Sequence, residues 1–92
     1  SVSDRIADIL DILNAAESAT FDSFFTPLNT KEEVIVTFLA ILELMRMQLI
    51  RSQQVQQFDT IRIYVAVDLD TQEKILKQFY EADEEEISAT EH

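Results

Sequence analysis

The side chains able to do chemistry are few and poorly placed for it. His92 is the only histidine and stands at the end of the chain, so no Ser-His-Asp triad or histidine metal cluster can be assembled around it. Cysteine is absent, which removes disulfides and thiolate metal sites and fits a reducing compartment. Glycine is absent as well, so there is no phosphate-cradling loop of the Walker or dinucleotide type. Carboxylates are plentiful, and the run from Asp83 to Glu86 is dense enough to hold a hard cation loosely. It lacks the spaced ligands and the Gly turn of a calcium loop, and reads as a solvated acidic tail. These residues point away from an enzyme, and no cofactor or metal is expected.

The remaining chemistry is electrostatic. The chain of 92 residues carries a net charge of −11. Residues 68–92 hold nine acids and two bases, and residues 1–67 hold nine acids and five bases. A phosphate backbone is bound by neutralising it with Lys and Arg, so free nucleic acid is not an expected partner. No apolar run reaches the roughly 18 residues of a membrane span, because Glu43 and Arg46 interrupt the longest one. No secretory signal pattern is present at Ser1. The opening is helical in pattern and lacks a starting Met, as expected of an excised piece of a longer protein.

The elements that would position any site follow from periodicity. Val2 to Leu13 reads as an amphipathic helix with Val2, Ile6, Ile9, Leu10 and Leu13 on one face, Ser3 as its N-cap and Asn14 near its exit. In "TFDSFFTPL", Phe21 fits a short strand, and Asp22 fits the cap of one helical turn carrying Phe24 and Phe25. Pro27 ends that turn, and the three phenylalanines are expected to anchor the core. A long helix follows, from the capping box Thr30/Glu33 to about Gln48. Leu49 to Val67 reads as a β-hairpin, with Ile61, Ile63, Val65 and Val67 alternating along its second arm and "QQVQQ" at its tip. Asp70 to Ala82 reads as a last helix with an Ile75, Leu76, Phe79 and Tyr80 stripe, and the acidic residues after it as a solvated, disordered end. Without glycine, turns of positive φ are expected at Asn14, Asn29, Asp59, Asp68 and Asp70.

Helix, short strand or turn, short helix, long helix and hairpin is the order of a winged helix, an α+β variant of the helix-turn-helix. The domain is expected over residues 1–67, with residues 68–92 adding a helix and an acidic tail. The long helix would take the place of the recognition helix, and the hairpin that of the wing. A DNA-reading helix offers Arg, Lys, Asn or Gln to base edges. Here Lys31 and Arg46 sit at its ends and the residues between them are nearly all apolar. On a helical wheel, Val34, Phe38, Leu42, Met45 and Leu49 form one stripe with Ile35 and Leu39 at its edge, and these are assigned to the core. Val36, Ala40, Leu44 and Met47 form a second stripe beside Glu43. That stripe is either internal, wedged between the first helix and the hairpin, or an exposed face for a protein partner.

The segment "EEVIVTFLAILELMRMQLIRSQQVQQFDTIRIY", Glu32 to Tyr64, resembles the C-terminal winged helix domain of bacterial segregation and condensation protein A, a kleisin. The resemblance rests on the "VTFLAILELM" helix, a polar step into the first wing strand, Gln53, and the pattern Phe58, Asp59 and Ile61. The upstream "TFDSFF" resembles the family's Phe-x-x-Leu-Phe segment. The resemblance departs at the wing turn, where Asp59 directly follows Phe58, and at Asp68 to His92, which extends past the usual end. It implies a non-enzymatic module that docks on the ATPase head of a structural-maintenance-of-chromosomes (SMC) protein and contributes to chromosome condensation and segregation. It implies a second partner, segregation and condensation protein B, bound through a middle segment absent from this sequence, and a cytoplasmic, nucleoid-associated location. Carried onto this chain, the family's docking surface falls on Val36, Ala40, Glu43, Met47, Arg51, Gln53 and Arg62. The competing reading is a winged-helix regulator that binds nucleic acid.

Overall fold

The computed structural model describes the backbone of residues 1–90 and the side chains of residues 1–82. The first helix, α1, spans Val2–Ala16. Its N-cap is Ser1, whose hydroxyl accepts the Asp4 N–H at 3.3 Å, in place of the expected Ser3. It buries Ile6, Ile9, Leu10 and Leu13, as their spacing predicts. Strand β1, Ser18–Thr20, leads into a 3-10 helix over Phe21–Phe24. Phe21 is therefore in the turn and not the strand, and Asp22 lies inside the turn without capping it.

The long helix α2 spans Lys31–Arg46. Its capping box forms as the sequence predicts: Glu33 N–H donates to Thr30 Oγ1 at 3.1 Å, and Thr30 N–H donates to Glu33 Oε1 at 2.9 Å. Its C-terminus closes in a Schellman motif. Leu49 N–H reaches Leu44 O at 3.0 Å and Gln48 N–H reaches Met45 O at 2.9 Å, with Gln48 at φ 61°.

Strands β2, Ile50–Gln53, and β3, Arg62–Val65, form the hairpin, and β1 adds to its far edge in the antiparallel order β1-β3-β2. The pairs Ser52↔Ile63 and Ile50↔Val65 face the helices, whereas Arg51↔Tyr64 and Gln53↔Arg62 face outward. A three-helix, three-strand α+β winged helix results. The core lies between α1, the inner side of α2 and the inner face of the sheet, where Ile41, Leu44, Leu49 and Ile63 are fully buried.

The last helix, α3, spans Leu69–Thr90 and runs past the expected end at Ala82, there being no Gly or Pro to stop it. Asp68, not Asp70, caps it, accepting the Thr71 N–H at 2.8 Å. Gln72 is buried and exchanges two 3.0 Å hydrogen bonds with the Asn14 side chain, while Ile75 and Leu76 pack on the core. Glu91 and His92, read as part of the frayed end, lie outside the described residues.

Two further expectations are overturned. The positive-φ residues are Glu17, Gln48 and Phe58, not the expected Asn and Asp. Two of them follow helix ends, where the capping geometry imposes a left-handed residue whatever its type. The roll of α2 also differs from the expected one, although Met45 and Leu49 of the expected core stripe do pack on or in the core. Val34, Phe38 and Leu42, assigned to the core, are exposed; Ala40 and Leu44, from the second stripe, are fully buried with Thr37 and Ile41. The reason is steric. Thr37 and Ala40 are small enough to let α1 pack closely against α2, and Arg5 Nε donates to Thr37 Oγ1 at 2.8 Å across that contact.

Candidate functional site

The observed roll turns the larger apolar side chains of α2 outward. Val34, Ile35, Phe38, Leu39 and Leu42 form a stripe along the helix, with Phe38, Leu39 and Leu42 each 46% exposed. The aromatic segment supplies a second wall. Phe24 enters the core as expected, but Phe21 and Phe25 are only half-buried and pack against each other tilted by 52°, with ring centroids 5.1 Å apart. Together with Val34, Ile35, Phe38 and Leu39 they line an apolar groove of about 460 Å³. Its rim is held by backbone bonds: Phe21 N–H donates across to Ile61 O at 2.8 Å, and Phe25 N–H to Asp22 O at 3.1 Å. Asn29 Oδ1 fixes the loop before α2 by accepting the Thr26 N–H at 2.8 Å.

The residues singled out from the sequence divide into three groups. Ala40 is 0% exposed and cannot touch a partner in this fold. Val36, Glu43 and Met47 are half-buried along the border between the inner and outer sides of α2. Glu43 is paired with Arg46, whose Nε lies 3.0 Å from Glu43 Oε1. That hydrogen bond holds the Glu43 carboxyl below its usual range and raises the Arg46 guanidinium. Arg51, Gln53 and Arg62 are exposed, and the strand register brings them together on the outer face of the sheet beside Tyr64. Arg62 also donates to Ser18 Oγ at 2.9 Å, which ties the wing to β1.

No group of three or more His, Cys, Asp or Glu side chains that could hold a metal is found among the described residues. No helix among them is long and apolar enough to cross a membrane. The groove residues were missed as a site because both sides of α2 read as apolar. The available signal was size: small residues mark the side that another helix approaches, which leaves Phe38, Leu39 and Leu42 for the other side.

The fold and this surface define a winged helix whose outward recognition-helix face is apolar instead of cationic. The family model described as "Segregation and condensation protein ScpA" matches residues 1–66, and the chain belongs to that family. It is 40% identical over 60 residues to segregation and condensation protein A of Listeria welshimeri, covering 63% of this chain and 24% of that protein. It is 39% identical over 62 residues to the Bacillus licheniformis protein of the same name, covering 67% and 25%. Against the Macrococcus caseolyticus protein it is 33% identical over 63 residues, covering 68% and 26%. The aligned part thus spans about a quarter of these relatives, and α3 lies beyond the residues that the family model matches.

Proposed function

We propose that this chain is the protein-docking module of a kleisin, seated on the ATPase head of an SMC protein and contributing to chromosome segregation and condensation. The observation that carries the reading is the apolar outward face of α2, at the position where a DNA-reading winged helix presents cations. The family name, which concerns segregation and condensation, supports it. In this reading α2 and the groove form the centre of the contact. Val36, Glu43 and Met47 lie at its border, with Arg51, Gln53 and Arg62 as flanking polar contacts on the sheet. Other parts of the parent protein engage the second head and segregation and condensation protein B, in the cytoplasm at the nucleoid. The module itself performs no catalysis.

The test is titration of the chain against an isolated SMC head domain. Binding at or below about 10 μM, near 7 kcal/mol, is expected. Leu39→Asp should leave the fold intact, because Leu39 is half exposed, and should abolish binding. Absence of wild-type binding at that concentration overturns the reading. Clear binding to duplex DNA at moderate salt would favour the nucleic-acid reading instead.

A further inference from the structure

The last helix is tied to the domain over a short part of its length. Gln72 is 4% exposed, and its amide is used at both ends. Its Nε2 donates to Asn14 Oδ1 and to the Val67 carbonyl at 3.0 Å each, and its Oε1 accepts from Asn14 Nδ2 at 3.0 Å. One turn further on, Ile75 and Leu76 pack on the core. Phe79 and Tyr80 repeat that apolar pair at a spacing of four residues, which puts them on the same face of α3 a further turn along. They are half-buried, yet they pack edge to face on each other, 5.5 Å between ring centroids, and not on the core. The helix therefore carries two apolar pairs in the same arrangement and seats only the first.

We infer that the Asn14–Gln72 amide pair is a registry key: it selects the seat of α3 on the domain against a second seat one turn along, in which Phe79 and Tyr80 take the places of Ile75 and Leu76. Apolar burial does not choose the first seat, because the aromatic pair offers the larger area. The amide does. In the second seat Leu76 faces Asn14, and the Asn14 side chain and the Val67 carbonyl lose the partner that Gln72 gives them. A lone buried polar pair in an otherwise apolar helix contact is best attested in this role, fixing register.

The chain has the means to reach either seat. Moving α3 back by one turn requires Leu69 to Thr71 to uncoil and carry the link to β3. Thr71 is itself an N-cap type and can then replace Asp68. No glycine or proline lies between Val65 and Thr90 to pin where the helix begins. In the native chain the key leaves one position for α3 and keeps the aromatic pair clear of the core.

The chain has no cysteine, so spin labels can be placed at Asp11→Cys and Ala82→Cys, both exposed, and their separation read by pulsed electron paramagnetic resonance. Ala82 lies about 15 Å further along α3 than Gln72, so a slide of one turn shortens that separation by about 5 Å. With no other change the labelled chain should give one distance. Asn14→Leu with Gln72→Leu removes the key while replacing both partners by apolar groups, and should give two distances. Gln72→Leu with Leu76→Gln moves the amide along by one turn and should give the shorter distance alone. Both variants should melt cooperatively; where one does not fold, the other decides. The original distance kept in the variants overturns the inference, as do two distances in the chain with the key intact. A broad distribution on removal of the key also overturns it, since the pair would then hold α3 down without choosing its seat.

Discussion

The two sides of α2 differ in a direction opposite to intuition. The inward side carries Thr37 and Ala40 beside Ile41 and Leu44; the outward side carries Val34, Ile35, Phe38, Leu39 and Leu42. The outward side is the bulkier and the more uniformly apolar. Burial here follows from how closely α1 can approach, not from the hydrophobicity of either stripe. The lesson is that the more apolar face of a helix in a small domain can be the one left for a partner, once small residues have fixed which side the domain uses for itself.

That contrast can be broken by stability measurements. Leu44→Ala and Ile41→Ala should each cost about 2–5 kcal/mol in urea denaturation, as fully buried side chains leaving cavities. Phe38→Ala and Leu42→Ala should cost less than about 1 kcal/mol; equal losses on the two sides would show the roll to be wrong. Ala40→Leu tests the close approach of α1 directly and should destabilise by about 1–3 kcal/mol through overpacking. Thr37→Val keeps the volume but removes the acceptor of the Arg5 bond, and a loss of about 1 kcal/mol is expected.

Smaller effects lie at the ends of the helix. Gln48→Gly relieves the left-handed cap and should raise stability by about 0.5–1 kcal/mol, read as a higher urea midpoint. The Thr30 backbone N–H holds the Glu33 carboxyl below its ordinary value of 4.5. A carboxyl depressed in the folded state stabilises above that value and loses its contribution as the pH falls through the depressed one. Glu33→Gln should therefore melt lower than wild type near neutrality, and the gap should close as the pH falls below 4.5 and through the depressed value. A gap independent of pH would remove the charge from the capping argument.

Much of the architecture was legible because local signals agreed with one another. Thr30 and Glu33 announce the start of α2, the alternation from Ile61 to Val65 announces β3, and the spacing of Ile6, Ile9, Leu10 and Leu13 gives both α1 and its buried face. The order of these elements was enough for a winged helix. The roll of α2 was not legible, because a wheel gives the spacing of stripes but no phase when both are apolar. Ala40, placed at the docking surface from that wheel, is instead where two helices meet. Arg51, Gln53 and Arg62 were named from the family resemblance; alternation places Arg62 outward, but the register that sets Arg51 and Gln53 beside it was not legible. Nor was the left-handed residue at the wing tip, since Phe58 has none of the preferences that mark such positions, and its neighbour Asp59 has them.

The junction after α2 has a consequence for selectivity. Only Met47, Gln48 and Leu49 separate the helix from β2, and all three N–H groups are bonded back into the last turn. Leu49 is fully buried, and its carbonyl accepts the Ala66 N–H at 2.9 Å. Helix and the base of the wing are therefore joined without slack, which fixes the outer face of the sheet, with Arg51 and Arg62, relative to the groove. In the proposed docking, a partner that offers receptors for both the groove and the sheet face at that separation engages the second at little further entropic cost once the first is seated. One that offers them a few ångströms closer or farther apart obtains a single contact, so spacing discriminates among partners that share the same chemistry.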